Sequence, residues 1–221
     1  MRNESIIFIA IFALAAVLRL GDLGQGESDF VPSGASGVEA YYHFHPDEET
    51  LVRAALRLES LFDPPLTAYG TLPMLLGRGV LEVVGLFYDG PLEVGGESRA
   101  LVLQTVRFFS ALCSLATVIL VFGIGRRFWG IGVGALAALF VGLAPIALQQ
   151  AHFFTVDSLF TLLSLAVLGL GLQAVATERR GLLVAAGAMV ALAFLLGRDL
   201  DWRGALARFK RPDLWLAGLA A

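Results

Sequence analysis

Long uninterrupted apolar runs constrain this chain more than any other feature. Leu101–Gly125, broken only by Arg107, Ile131–Leu148 and Ser158–Ala176 each approach or exceed the roughly 20 apolar residues that cross a hydrocarbon core. Ser5–Leu20, closed by Arg19, and Leu182–Gly197 are shorter candidates, and residues 213–221 begin one more run. Within lipid every backbone polar group needs an internal partner, so such segments predict helices. The composition agrees: 57% of the 221 residues are hydrophobic and 16% charged, against about 25% charged in soluble domains. A net charge of −3 excludes a nucleic-acid binder by bulk charge, and the lone Cys113 excludes a disulfide framework or a cysteine-based zinc site. The fold class expected is all-α: a polytopic membrane protein, here one integral domain over 1–221. Its spans are expected near 5–20, 101–125, 131–148, 158–176 and 182–197. For the first of these a cleaved signal peptide is the rival reading, with Ala13-Leu14-Ala15 as a small-residue site.

Charge fixes the expected sidedness. Residues 21–99 hold 13 Asp/Glu and 4 Arg, a balance of −9, whereas the remaining residues hold 6 Asp/Glu and 12 Lys/Arg, a balance of +6. Arg126-Arg127 follows the second span and Arg179-Arg180 the fourth, so the positive-inside rule places both pairs, and the N-terminus, in the cytoplasm. The acidic loop 21–99 and the turn Gln149–Asp157 then fall together on the extracytoplasmic face. Parity alone is expected to bring these distant segments to one surface of a plasma (inner) membrane protein. Arg198, Arg203, Arg208, Lys210 and Arg211 after the fifth span contradict that alternation. Either 182–197 is re-entrant or lies on the surface, or one crossing is absent.

Within the loop, Asp47–Phe62 has helical periodicity, with Leu51, Ala55, Leu58 and Phe62 on one stripe, Val52 and Leu56 beside it, and Glu49, Arg53 and Arg57 opposite. Asp63-Pro64-Pro65 is expected to stop this helix. The apolar stretch after Tyr69-Gly70-Thr71-Leu72-Pro73 carries Arg78 and Glu82 four residues apart, which predicts an interfacial helix rather than a span.

Two polar clusters could carry chemistry. In His43-Phe44-His45-Pro46-Asp47-Glu48-Glu49, Asp47 is a helix N-cap, one ligand of a metal site with His43 and His45, or one of a carboxylate pair in which one member acts as base. A divalent ion is compatible with these side chains, and none is assigned. In Gln149-Gln150-Ala151-His152-Phe153-Phe154-Thr155-Val156-Asp157, Asp157 either caps the following helix or faces the first cluster across the surface. Arg107, inside its span, either snorkels outward or contacts an anion such as a lipid phosphate.

The order of these motifs resembles a known family. A first span ending Arg19-Leu20, a loop bearing Asp47-Glu48, the aromatic-Gly-x-Leu-Pro segment from Tyr69 and a span ending Gly125-Arg126-Arg127-x-x-Gly130 are followed by a Pro145-containing helix and a polar turn ending in Asp157. This pattern is similar to glycosyltransferase family 39 of the GT-C enzymes, among them protein O-mannosyltransferases and aminoarabinose transferases acting on lipid A. The resemblance covers about residues 8–197. It implies a GT-C-like helical bundle with a long first extracytoplasmic loop carrying interfacial helices. It also implies inverting transfer of a sugar from a polyprenyl-phosphate donor to a hydroxyl of a protein or lipid acceptor. Asp47 matches the family's general base, Glu48 its neighbour and Asp157 the acidic residue of the second outer turn. Arg107, His152, Tyr69 and His45 are carried over as substrate contacts. Family members are longer, and a lysine common after their fifth helix has no counterpart, so the chain reads as the N-terminal part of a larger domain. The competing reading is a non-catalytic or truncated membrane protein that binds polyprenyl lipid or a protein partner.

Overall fold

The computed structural model describes residues 2–24, 45–59, 65, 66, 69–94 and 97–195. Among these every regular element is a helix: α1 (Arg2–Leu20), α2 (Pro46–Leu56), α3 (Thr71–Gly85), α4 (Arg99–Trp129), α5 (Ile131–Leu143), α6 (Pro145–Ala151), α7 (Val156–Thr177) and α8 (Arg180–Leu195). By length and composition α4 and α7 can cross a membrane, and α5 with α6 makes a third crossing if that bent pair counts as one. Ile6–Leu20 and Arg180–Val190 are shorter apolar helices. The run expected over 101–125 extends to both sides, and its basic end, Arg126 and Arg127, lies in the last turn of α4, where cations suit the helix dipole. Residues 196–221, with the basic stretch and the last apolar run, lie outside the described residues.

The centre of the bundle is α4. One half packs Val102, Leu103 and Val106 against Leu51, Val52 and Ala55 of α2 and Met74 and Leu81 of α3. The other half packs Leu115, Val118 and Phe122 against Ala15 of α1 and Ala138 of α5. The sharp α4–α5 reversal depends on small residues: a Cβ on Gly134 would lie 2.6 Å from the Arg126 nitrogen, and one on Gly125 2.7 Å from the Gly134 Cα. Gly130, between the two helices, has φ +91°, a conformation that side chains with a Cβ rarely adopt.

The helix expected over 131–148 is broken. Ala144 is extended and Pro145 begins α6, so the two halves meet at 61°. Proline has no N–H to give the Val141 carbonyl and forces its predecessor out of helical geometry. Arg19 replaces the lost donors. Its guanidinium gives hydrogen bonds to the Gly142 oxygen at 2.8 Å, the Val141 oxygen at 3.0 Å and the Ser114 Oγ at 2.8 Å. Arg19, which closes the first apolar run, is fully buried. It sits at the negative end of α5, where exposed carbonyls attract a cation.

The loop helix α2 is shorter than its periodicity predicts. It ends at Leu56; Arg57 leaves helical geometry, and the Leu56 oxygen is taken by Arg78 at 2.7 Å. Residues 60–64, including Phe62 and the Asp63-Pro64 stop, lie outside the described set. The expected Glu49–Arg53 and Arg78–Glu82 pairs form on exposed helix surface.

Candidate functional site

The site begins where α2 begins. His45, not Asp47, is the N-cap: its Nδ1 accepts the Asp47 N–H at 3.3 Å, and Pro46 fills the first helical position, where its missing N–H costs nothing. A residue before proline is biased to extended geometry, which His45 adopts with φ −124° and ψ 118°. Asp47, Glu48 and Glu49 thus form the acidic first turn that the helix dipole favours.

Successive residues on a helix point about 100° apart, which separates the two carboxylates. Glu48 turns inward and is fully buried. Both its oxygens engage Arg107 of α4, Oε1 with Nε at 2.8 Å and Oε2 with Nη2 at 2.6 Å, and Oε1 also accepts the Phe154 N–H at 2.9 Å. Arg107 donates further to the Leu23 oxygen at 3.0 Å and lies 5.6 Å from the centroid of the Phe153 ring. One buried ion pair therefore joins the turn after α1, the loop helix, α4 and the 153–154 turn. Bidentate geometry is the strong form of this pairing. Its guanidinium neither snorkels nor points into open space.

Asp47 turns the other way and is half-buried. It accepts a hydrogen bond from the Tyr69 side chain, and Asp157 is close enough to act on the same phenol. The hydrogen bond to Asp47, then burial, then the negative charge of Asp47 and of Asp157 hold the Tyr69 pKa above its ordinary value of 10.0. Asp47, Tyr69 and Asp157 thus form one cluster drawn from three segments. Asp157 lies in the first turn of α7 and is exposed, while the N-cap is Thr155, whose hydroxyl donates to Gln150 Oε1 at 2.7 Å instead of capping.

The second turn is latched to the first cluster by its aromatic residues. The Phe154 ring is buried against Phe109 and over Gly77 of α3, where a Cβ would lie 2.6 Å from the ring. Phe153 lies beside His45, the rings tilted by 39° with centroids 5.8 Å apart. His152 faces inward to the backbone: Nδ1 is 2.8 Å from the Leu148 oxygen and Nε2 3.0 Å from the Gly21 oxygen. The structure thus brings Asp47, Tyr69 and Asp157 together, with His45, Glu48 and Arg107 beneath them, while His152 ties α6 to the end of α1. Among the described residues no three of His, Cys, Asp and Glu gather as a metal ion would need; His43 lies outside them. Sequence reasoning missed Phe153, Phe154 and Gly77. Two adjacent phenylalanines inside an otherwise polar turn were the available signal.

The segment carrying Arg107, His152 and Asp157 is similar to a known family. Residues 100–198 match the family model of dolichyl-phosphate-mannose-protein mannosyltransferase. The mannosyltransferase-like match spans α4 to the end of α8, just under half of the chain, and agrees with the resemblance read from the motif order. At the level of reaction class it supports a membrane-bound glycosyltransferase. Asp47, Glu48 and Tyr69 precede the matched segment and are joined to it by the contacts above. No curated protein and no solved structure matches the chain.

Proposed function

We propose that the protein transfers a sugar from a polyprenyl-phosphate carrier to an acceptor hydroxyl on the extracytoplasmic face of the membrane, with inversion, and that Asp47 is the general base. The observation that carries this reading is the division of labour between neighbouring carboxylates. Glu48 is consumed by Arg107, whereas Asp47 stands in the polar cluster with Tyr69 and Asp157. A base must reach the proton it accepts, and Asp47 is placed for that role where Glu48 is not. As the acceptor oxygen bonds to the anomeric carbon, its proton passes to Asp47. The bond to the phosphate breaks, and the phosphate leaves with the electron pair. Glu48 and Arg107 act as positioning residues that hold α2 and the 153–154 turn. Asp157 and Tyr69 line the approach, with His45 and His152 at its edges.

The test is Asp47→Asn, which keeps the side-chain shape and removes the base. Transfer from a polyprenyl-phosphate sugar should fall by about 10²–10⁴-fold while membrane insertion and protein level stay unchanged. Retained transfer would leave Asp47 as a residue of the helix start and restore the reading of a non-catalytic polyprenyl-lipid or partner binder.

A further inference from the structure

A groove of about 400 Å³ opens at the α5–α6 break, lined among others by Ser114 and Thr117 of α4, Gln150 of α6, and Asp157, Ser158 and Thr161 of α7. That volume falls within the roughly 300–1,000 Å³ typical of small-molecule sites. Its polar wall has a definite sense. Thr117 Oγ1 donates to the Cys113 oxygen at 3.0 Å, and Ser158 Oγ donates to the Gln150 oxygen at 3.0 Å. Ser114 Oγ accepts from Arg19 at 2.8 Å and directs its own hydrogen toward the Ala147 oxygen, 3.5 Å away. A hydroxyl has one hydrogen and two lone pairs. With the hydrogens committed to backbone carbonyls, these oxygens meet a ligand as acceptors, and the Asp157 carboxylate adds a negative charge. The Gln150 amide, whose Oε1 is taken by Thr155, and the Thr161 hydroxyl can still donate, so the wall receives hydroxyl groups, which both donate and accept, while the Asp157 charge disfavours phosphate. The rest of the lining is apolar: Val141, Ala144, Ala147 and Ile146, the last about two-thirds exposed, a surface suited to acyl chains.

We propose that this groove seats the uncharged, polyhydroxylated head group of a membrane lipid, and that this lipid is the sugar acceptor. The second half of that statement rests on the transferase reading above. Asp157 connects the two: it lines the groove and also acts on Tyr69 beside Asp47. A lipid hydroxyl held along the groove would approach the base from the membrane side. Its oxygen takes the sugar from the phosphate, and its proton goes to Asp47.

The experiment uses the full chain in phosphatidylcholine nanodiscs with two photoreactive probes, a glucosyl-diacylglycerol and the matching phosphatidic acid. The glucosyl probe should label peptides around the groove. Thr161→Phe, which fills the groove without removing any of the hydrogen bonds above, should reduce labelling about tenfold or more, the loss expected from one or two polar contacts. Ala147→Leu on the opposite wall should act alike and serves if the first variant unfolds on heating below wild type. Equal labelling by the phosphatidic acid, or unchanged glucosyl labelling in a folded variant, would overturn the proposal. A parallel assay follows sugar transfer from a polyprenyl-phosphate donor. Transfer to the glucosyl lipid that survives loss of groove labelling would overturn the acceptor assignment. Selective labelling in a wild type that transfers nothing would overturn the transferase reading and leave the groove as a lipid site.

Discussion

Two side chains carry opposite consequences of burial. Removing one partner of a buried ion pair leaves the other charge uncompensated, a loss of about 3–5 kcal/mol, whereas replacing both by apolar residues is often neutral. Glu48→Ala or Arg107→Ala should therefore lower the denaturant midpoint sharply, and Glu48→Leu with Arg107→Met should recover much of it. A double-mutant cycle in detergent measures this directly, and additive losses would show that the two groups do not interact. Tyr69 gives a second readout. Its pKa is held above the ordinary tyrosine value chiefly because the protonated phenol donates to Asp47. This contact stabilises the fold fully below pH about 10, the unfolded value, and its contribution is lost as pH rises through the higher folded value. The phenolate absorbance change missing in Tyr69→Phe should fall above that pH in the wild type and move back toward it in Asp47→Asn.

At the scale of the element, the α5–α6 break and Arg19 explain one another. The carbonyls that proline strands in an apolar surrounding need donors, and α1 supplies them from its last turn. Arg19→Met should cost about 1–3 kcal/mol for each carbonyl left unpaired. Pro145→Ala restores an N–H for the Val141 carbonyl and should recover part of that loss when combined with Arg19→Met, although alone it removes the bend that shapes the groove. Thermal unfolding of the four proteins separates these effects. A double variant no more stable than Arg19→Met would show that Arg19 acts through another contact.

For the whole molecule, the decisive arrangement is that two segments about a hundred residues apart are in contact. Phe154 donates its N–H to Glu48, and its ring fills the space left by Gly77. Cysteines introduced at 47 and at the exposed position 157 in a Cys113→Ser background should therefore be sided alike, labelling from outside the cell, and one at 128 should label only after permeabilisation. Labelling of 47 and 157 from opposite sides would remove the shared site altogether.

Much of this was legible in the sequence because it depends on local pattern. Apolar runs of membrane length dictate helices, since lipid offers the backbone no other partner, and counting crossings predicts that the loop and the 149–157 turn meet. The acidic start of α2 and its exposed Glu49–Arg53 pair follow from helical spacing. Only tertiary structure decided which of two adjacent carboxylates faces the core. Local rules put Asp47 and Glu48 at a helix start and turn them about 100° apart, but which of them is buried with a partner is set by an arginine 59 positions beyond Glu48. The same holds for Arg19, whose partners Ser114, Val141 and Gly142 lie 95 to 123 positions away. A buried charge is tolerable only where distant chain supplies its partners, and that supply is a property of packing rather than of spacing.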